Sequence, residues 1–162
     1  MTRADEKRRA VMDARRVKRS AARFYAVQAL FQMEASDVGI ARIEEEFETH
    51  RIGVATETET WAEADRPYFR RLIETAVDRQ AAIDQMTDRA LVAKWPISRI
   101  DPTLRALFRA AGAEMLAAQT PARVIITEFL SIAQAFFPEG REAKFVNAVL
   151  DHMAHEARAS EF

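Results

Sequence analysis

The chain has 162 residues, with 24 Lys or Arg against 25 Asp or Glu, a formal charge of −1, 49% hydrophobic and 30% charged residues. That size and balance suit one globular domain with a core large enough to need no covalent staple, and argue against a disordered chain. The absence of cysteine excludes disulfides and thiolate chemistry, no uncharged apolar run approaches the ~18 residues of a membrane span, and 4 Gly with 5 Pro favour helices over many short strands.

Residues 1–23 hold nine basic side chains against Asp5, Glu6 and Asp13, whereas residues 34–65 hold ten acids against Arg42 and Arg51. A partner meets a basic end and an acidic middle, and the net charge conceals both. The basic stretch reads either as a solvated tail or as a contact for nucleic-acid phosphates. A membrane-surface helix fails, because positions 3–19 offer only Val11, Met12 and Val17 as larger apolar groups. No apolar stretch follows the basic start, so the chain reads as a cytoplasmic protein without a secretory signal.

From Ser20 the spacing of Phe24, Val27 and Phe31, with Ala26, Leu30 and Met33, predicts a helix ending near Ser36. Arg19 and Arg23 share one face of it, and Arg15, Arg16 and Lys18 extend that face if the helix continues backward. A second helix over about 40–50 turns Ile40, Ile43 and Phe47 inward and Glu44, Glu45 and Glu46 outward. Gly53 to Thr60 lacks periodicity and reads as a loop. Pro67 opens a third helix with the stripe Phe69, Leu72, Ile73, Ala76, Val77, Ile83 and Met86. A short helix over Thr87–Ala93 should end at Trp95-Pro96.

Asp101-Pro102 is a cap followed by a proline at the first helical position, and Leu104, Leu107, Phe108, Ala111, Met115 and Leu116 face inward behind it. Thr120-Pro121 reads as a second such start. It opens a helix with Ile125, Phe129, Ile132 and Phe136 on one row and Ile126, Leu130, Ala133 and Phe137 on the next. Pro138 and Gly140 close that helix, and the last one uses Phe145, Val149, Leu150 and Met153. The prediction is all-α: about seven helices and no strand.

Catalytic constellations are missing. Glycines at 39, 53, 112 and 140 cannot form a phosphate loop, no G-x-S-x-G or H-E-x-x-H occurs, and the serines have no evident base. His152 and His155 with Glu156 could share a metal, but at a solvent-facing helix end they read as polar surface. Neither an enzyme, a cofactor nor a metal is expected.

Three ordered segments carry a resemblance. They are Arg19-Ser20-Ala21-Ala22-Arg23 with Ala26-Val27-Gln28-Ala29-Leu30-Phe31; Asp101-Pro102-Thr103-Leu104-Arg105 with Phe108-Arg109-Ala110 and Glu114; and Pro121-Ala122-Arg123-Val124-Ile125-Ile126-Thr127-Glu128 with Lys144-Phe145-Val146-Asn147-Ala148-Val149-Leu150-Asp151. Together they span Arg19 to Met153 and resemble the NusB family of bacterial transcription antitermination factors, in its alphaproteobacterial form. The resemblance implies two small helical bundles. It implies binding of boxA-type single-stranded RNA in ribosomal RNA leader transcripts, jointly with NusE, a small-subunit ribosomal protein, and action on elongating RNA polymerase. It leaves monomer and homodimer open.

Carried over by position, the RNA surface comprises Arg15, Arg16, Lys18, Arg19 and Arg23 on phosphates, Phe31 under a base, and Lys144 with Phe145 beside it. For Phe31, core packing on the row of Phe24 and Val27 is the competing expectation. Asp101, Arg105, Glu114 and Glu128 are candidates for the NusE side, with intramolecular ion pairing as their alternative. The chain departs from the family pattern at Thr127 (usually Asn), Ala113 (usually Tyr), Ala148 (usually Gly) and in its long arm, which puts NusE affinity most in question. The domain reading is a basic extension over 1–18 and one RNA-binding domain over 19–162. The alternatives are an all-α protein-interaction module without an RNA role, and the RNA-binding domain of a ribosomal RNA methyltransferase. The second lacks its Gly-rich cofactor loop and its cysteine here.

Overall fold

The computed structural model describes residues 1–91 and 96–162, and it is all-α as expected. Among the described residues seven α-helices follow in order: α1 (Arg3–Ser36), α2 (Ile40–His50), α3 (Arg66–Asp78), α4 (Gln80–Ala90), α5 (Pro102–Ala117), α6 (Ala122–Phe136) and α7 (Ala143–Ala157). Short 3-10 turns occupy Ile97–Arg99 and Ala159–Glu161. Among the described residues the only β feature is an isolated bridge between Ala55 and Thr60, inside the segment read as a loop.

α1 starts at Arg3, far ahead of the Ser20 start that its apolar spacing marks. The extra turns need no buried stripe. Their Ala, Arg, Lys and Glu residues favour helix intrinsically. A capping box fixes the first turn: the Thr2 hydroxyl accepts the Asp5 N–H at 3.1 Å, and the Asp5 carboxylate takes the Thr2 N–H at 3.2 Å. Residues 1–19 are all exposed, and burial begins only at Ser20, so the helix runs unbroken through position 18 while its surroundings change there. Asp37, in the left-handed region at φ 51°, ends it.

The stripe read as one third helix belongs to two. Arg79, at φ −108° and ψ 20°, breaks the run, so Phe69 to Ala76 lie on α3 while Ile83 and Met86 lie on α4. Val77 is 39% exposed and leaves the stripe. The expected helix over Thr87–Ala93 is not separate, because Thr87 to Ala90 continue α4 and Leu91 ends it; positions 92 and 93, with Trp95, fall outside the described residues. Asp101 caps α5 as expected, accepting the Thr103 N–H at 2.7 Å ahead of Pro102. Thr120 does not cap α6. Glu161 performs that task from the far end of the chain, taking the Ala122 N–H at 2.9 Å.

α5 is the common wall of two bundles. α1 and α3 pack on it, with α2 against those two helices, and α4, α6 and α7 pack on it as the second group, around one continuous core. Gly112 permits the closest approach: a Cβ there would sit 2.5 Å from Ile83 Cγ2 of α4. Among the described residues no helix is long and apolar enough to cross a membrane.

Candidate nucleic-acid interface

The exposed part of α1 projects for about 25 Å at 1.5 Å per residue. Arg15, Arg16, Lys18 and Arg19 all lie on it, and among the described residues none of the four has an acidic partner within ion-pair distance. Arg19 is steadied instead by the Tyr68 ring of α3, 4.5 Å below its guanidinium. α1 and α3 are tied together here, because the Asp65 N–H donates to the Lys18 carbonyl at 3.0 Å.

One turn further along the same face the helix goes under, and Arg23 must be removed from the phosphate contacts. It is 2% exposed and grips Glu114 with two parallel hydrogen bonds, Nε to Oε1 at 2.7 Å and Nη2 to Oε2 at 2.8 Å. Its Nη1 lies 3.4 Å from Glu128, which also accepts the Ser20 hydroxyl. Glu114 is fully buried and takes the Tyr68 phenol proton at 2.5 Å. Burial and that hydrogen bond push the Tyr68 hydroxyl up to about 12. With its own proton committed, the Tyr68 oxygen accepts from the Thr120 hydroxyl at 2.9 Å.

Glu114 therefore leaves the partner-side candidates, since a fully buried carboxylate satisfied from inside cannot meet another protein. Glu128, half-buried, spends its charge on Arg23 in the same way. Arg105 is likewise internal: it pairs with Glu34 and donates to the carbonyls of Ile97 and Ile100. Asp101 is exposed and serves as the α5 cap. Of the departures from the family pattern, Ala113 is buried, while Ala148 is exposed and exposed Thr127 donates to the Arg123 carbonyl.

Between α1, α3 and the α5–α6 elbow lies a cleft of about 700 Å³, walled by Arg16, Arg19, Arg71 and Glu128 over Tyr68 and Thr120. Arg158 holds the elbow in place. Its guanidinium donates to the carbonyls of Met115 at 2.6 Å, Ala118 at 2.5 Å and Thr120 at 3.0 Å, and pairs with Glu161 at 2.6 Å. The last turn of α5 thus has its free carbonyls satisfied by a side chain from beyond α7. Sequence reasoning found none of Tyr68, Arg71 and Arg158. The i, i+3 spacing of Tyr68 and Arg71 was a signal that they share a face, but nothing local says what that face meets.

Phe31 is 40% exposed, so its ring is not part of the core. Phe24 makes the inward contact, stacked on Phe136 of α6 at 5.2 Å. Phe31 instead borders a groove of about 380 Å³ with Gln28, Arg51, Thr103 and Phe136, in which the Gln28 carbonyl oxygen is buried without a partner. Lys144 is exposed, whereas Phe145 is half-buried with its edge against Phe108 at 6.2 Å; neither borders the Phe31 groove. At the chain's end, His155 stacks on Phe162 and Glu156 pairs with Arg89. Among the described residues no cluster of three metal-ligating side chains occurs.

Comparison with known proteins identifies the family to which this fold belongs. The sequence pattern of the NusB family matches residues 20–155. "Transcription antitermination protein NusB" of Maricaulis maris (strain MCS10) is 45% identical over 145 residues, 89% of this chain and 90% of its own length. That of Agrobacterium fabrum (strain C58 / ATCC 33970) is 43% identical over 141 residues, 86% of this chain and 85% of the relative. Among solved structures, T. maritima NusB superposes with a TM-score of 0.71 at 30% identity, covering 88% of this chain and 95% of that one. The crystal structure of antitermination factors NusB and NusE in complex with dsRNA shares the fold at a TM-score of 0.67 and 21% identity, over 85% of this chain and 96% of that one. The family pattern, the identity over most of both chains and the shared architecture agree: this chain belongs to the NusB family.

Proposed function

We propose that this chain is a transcription antitermination factor, a binding protein rather than an enzyme, which acts in the cytoplasm. It takes up boxA-type RNA of ribosomal RNA leader transcripts together with NusE, and the complex then modifies elongating RNA polymerase. The observation that carries this reading is the run Arg15, Arg16, Lys18 and Arg19, exposed on one rigid helix without acidic partners among the described residues. Cations held in that way cost no internal pair when they take up phosphates, and release counterions from the RNA as they do so. Phe31, half out of the surface at the edge of its groove, suits the stacking of a splayed base, worth roughly 1–3 kcal/mol. Lys144 adds a further exposed cation, and Asp101 remains the partner-side candidate whose charge faces solvent.

The test is fluorescence anisotropy of a boxA-type RNA against a scrambled one, with and without NusE, across a salt series. The expected result is tighter binding of the matched RNA, further tightening by NusE, and loss of both in Arg15→Ala/Arg19→Ala. Equal binding of both RNAs would reduce α1 to a polycation. No binding at low salt with NusE present would leave a protein-interaction module without an RNA role.

A further inference from the structure

The basic face of α1 has a counterpart across the cleft. Arg71 stands on α3, three residues after Tyr68 and therefore on the same side of that helix. It is exposed, and among the described residues it has no ion-pair partner. Arg16 and Arg19 line the opposite wall. The floor between them offers no free hydroxyl donor, because the Tyr68 hydroxyl donates to Glu114 and Thr120 donates to Tyr68. An occupant of this cleft therefore meets guanidinium groups and the exposed Gln119 amide as its side-chain donors, and guanidinium forks match phosphate oxygens.

The charge count agrees. Arg23 is spent on Glu114 and Glu128, which leaves the charges of Arg16, Arg19 and Arg71 only partly offset by the second of those carboxylates. The positive surface also does not stop at the cleft. Arg16 belongs at once to the cleft and to a shallow groove running up α1, where Arg8, Arg9 and Arg16 outnumber Asp5 and Asp13. From Arg8 to Arg19 the helix rises about 16 Å, more than one phosphate group can use and suited to a chain of them.

We infer that the cleft is a clamp for the RNA backbone, in which Arg71 of α3 and Arg16 with Arg19 of α1 hold phosphodiester groups from two sides. This rests on the RNA-binding reading above and adds a second wall to it. A strand gripped from both helices is held in a defined direction, continuing from the cleft along the free end of α1. Arg71 is thus a binding residue that α1 alone does not supply.

The experiment measures RNA affinity of the full chain with NusE, as a function of salt, for the parent, Arg71→Ala, Arg71→Lys and Arg42→Ala. Arg42 is an exposed arginine on α2 away from the cleft and controls for net charge. The expected result is a several-fold weaker Kd for Arg71→Ala, with a salt slope shallower by about 0.7 for one lost contact to single-stranded RNA. Arg71→Lys should fall between the two, and Arg42→Ala should match the parent. The melting temperature of each variant is read alongside, and all should melt with the parent.

Parent-like affinity and slope in Arg71→Ala would overturn the clamp while leaving RNA binding by α1 intact. Failure of the parent itself to bind would overturn both readings together. Inorganic phosphate is titrated separately. Phosphate binding that depends on Arg71, combined with RNA binding that does not, would make the cleft a free-anion site and overturn the backbone assignment.

Discussion

Arg19 and Arg23 are four residues apart on one face of one helix, within one five-residue motif, and they have opposite fates. Arg19 stays in solvent over the Tyr68 ring, while Arg23 is buried against Glu114 and Glu128. The helix does not distinguish them. Two carboxylates do, one 91 and one 105 positions away in the chain, on α5 and α6. A basic motif therefore divides into binding and structural arginines according to where the rest of the fold places its acids.

The largest expected effect separates these two residues. Arg23→Ala leaves the fully buried Glu114 without its main partner, and should cost about 3–5 kcal/mol in denaturant unfolding. Arg19→Ala should stay within about 0.5 kcal/mol of the parent. Equal losses would erase the distinction. Replacing both members of the buried pair, as in Arg23→Met/Glu114→Met, should recover much of the loss.

A smaller effect is expected at the elbow. Arg158→Ala frees the α5 carbonyls and should cost about 1–3 kcal/mol by thermal melting, since hydrogen bonds to charged groups are worth about that much. RNA affinity should fall with it if the elbow shapes the cleft. A melting temperature unchanged from the parent would show that water caps α5 equally well.

The smallest effect contrasts a carboxylate that has an arginine with one that has another carboxylate. Glu44 is pushed up to about 7, first by burial and then by its hydrogen bond to Glu74 and that group's charge. Between the model-compound value of 4.5 and about 7 the folded protein holds a proton there that the unfolded chain has lost. The stability this contributes is complete below the lower value and disappears as pH rises through the upper one. Glu44→Gln should therefore out-melt the parent above neutral pH and match it near pH 4. The gain should stay under about 1 kcal/mol, because solvent screens the site. A gain of equal size at both pH values would deny the titration.

Local physics was legible in particular residues. Asp101-Pro102 announced the start of α5, and the period of Ile40, Ile43 and Phe47 placed α2 correctly. The row of Phe24, Val27 and Phe31 found the helix but left Phe31 open between core and surface, because period alone cannot say how far a partner helix extends. α6 covers Phe24 through Phe136 and leaves Phe31 uncovered. The break at Arg79 escaped because no Gly or Pro marks it.

Helical class, the family resemblance carried by three ordered segments and the cationic run at the N-terminus are all written in the chain itself. Each of these rests on residues near one another in the chain, where spacing, capping and charge act without reference to the fold. The tertiary structure decided which charges remain free. Glu114 claims Arg23, Glu34 claims Arg105, and Arg71 faces Arg16 and Arg19 across a cleft whose elbow is held by Arg158. Such assignments depend on which carboxylates and carbonyls arrive within hydrogen-bond reach after folding, and chain distance does not record that.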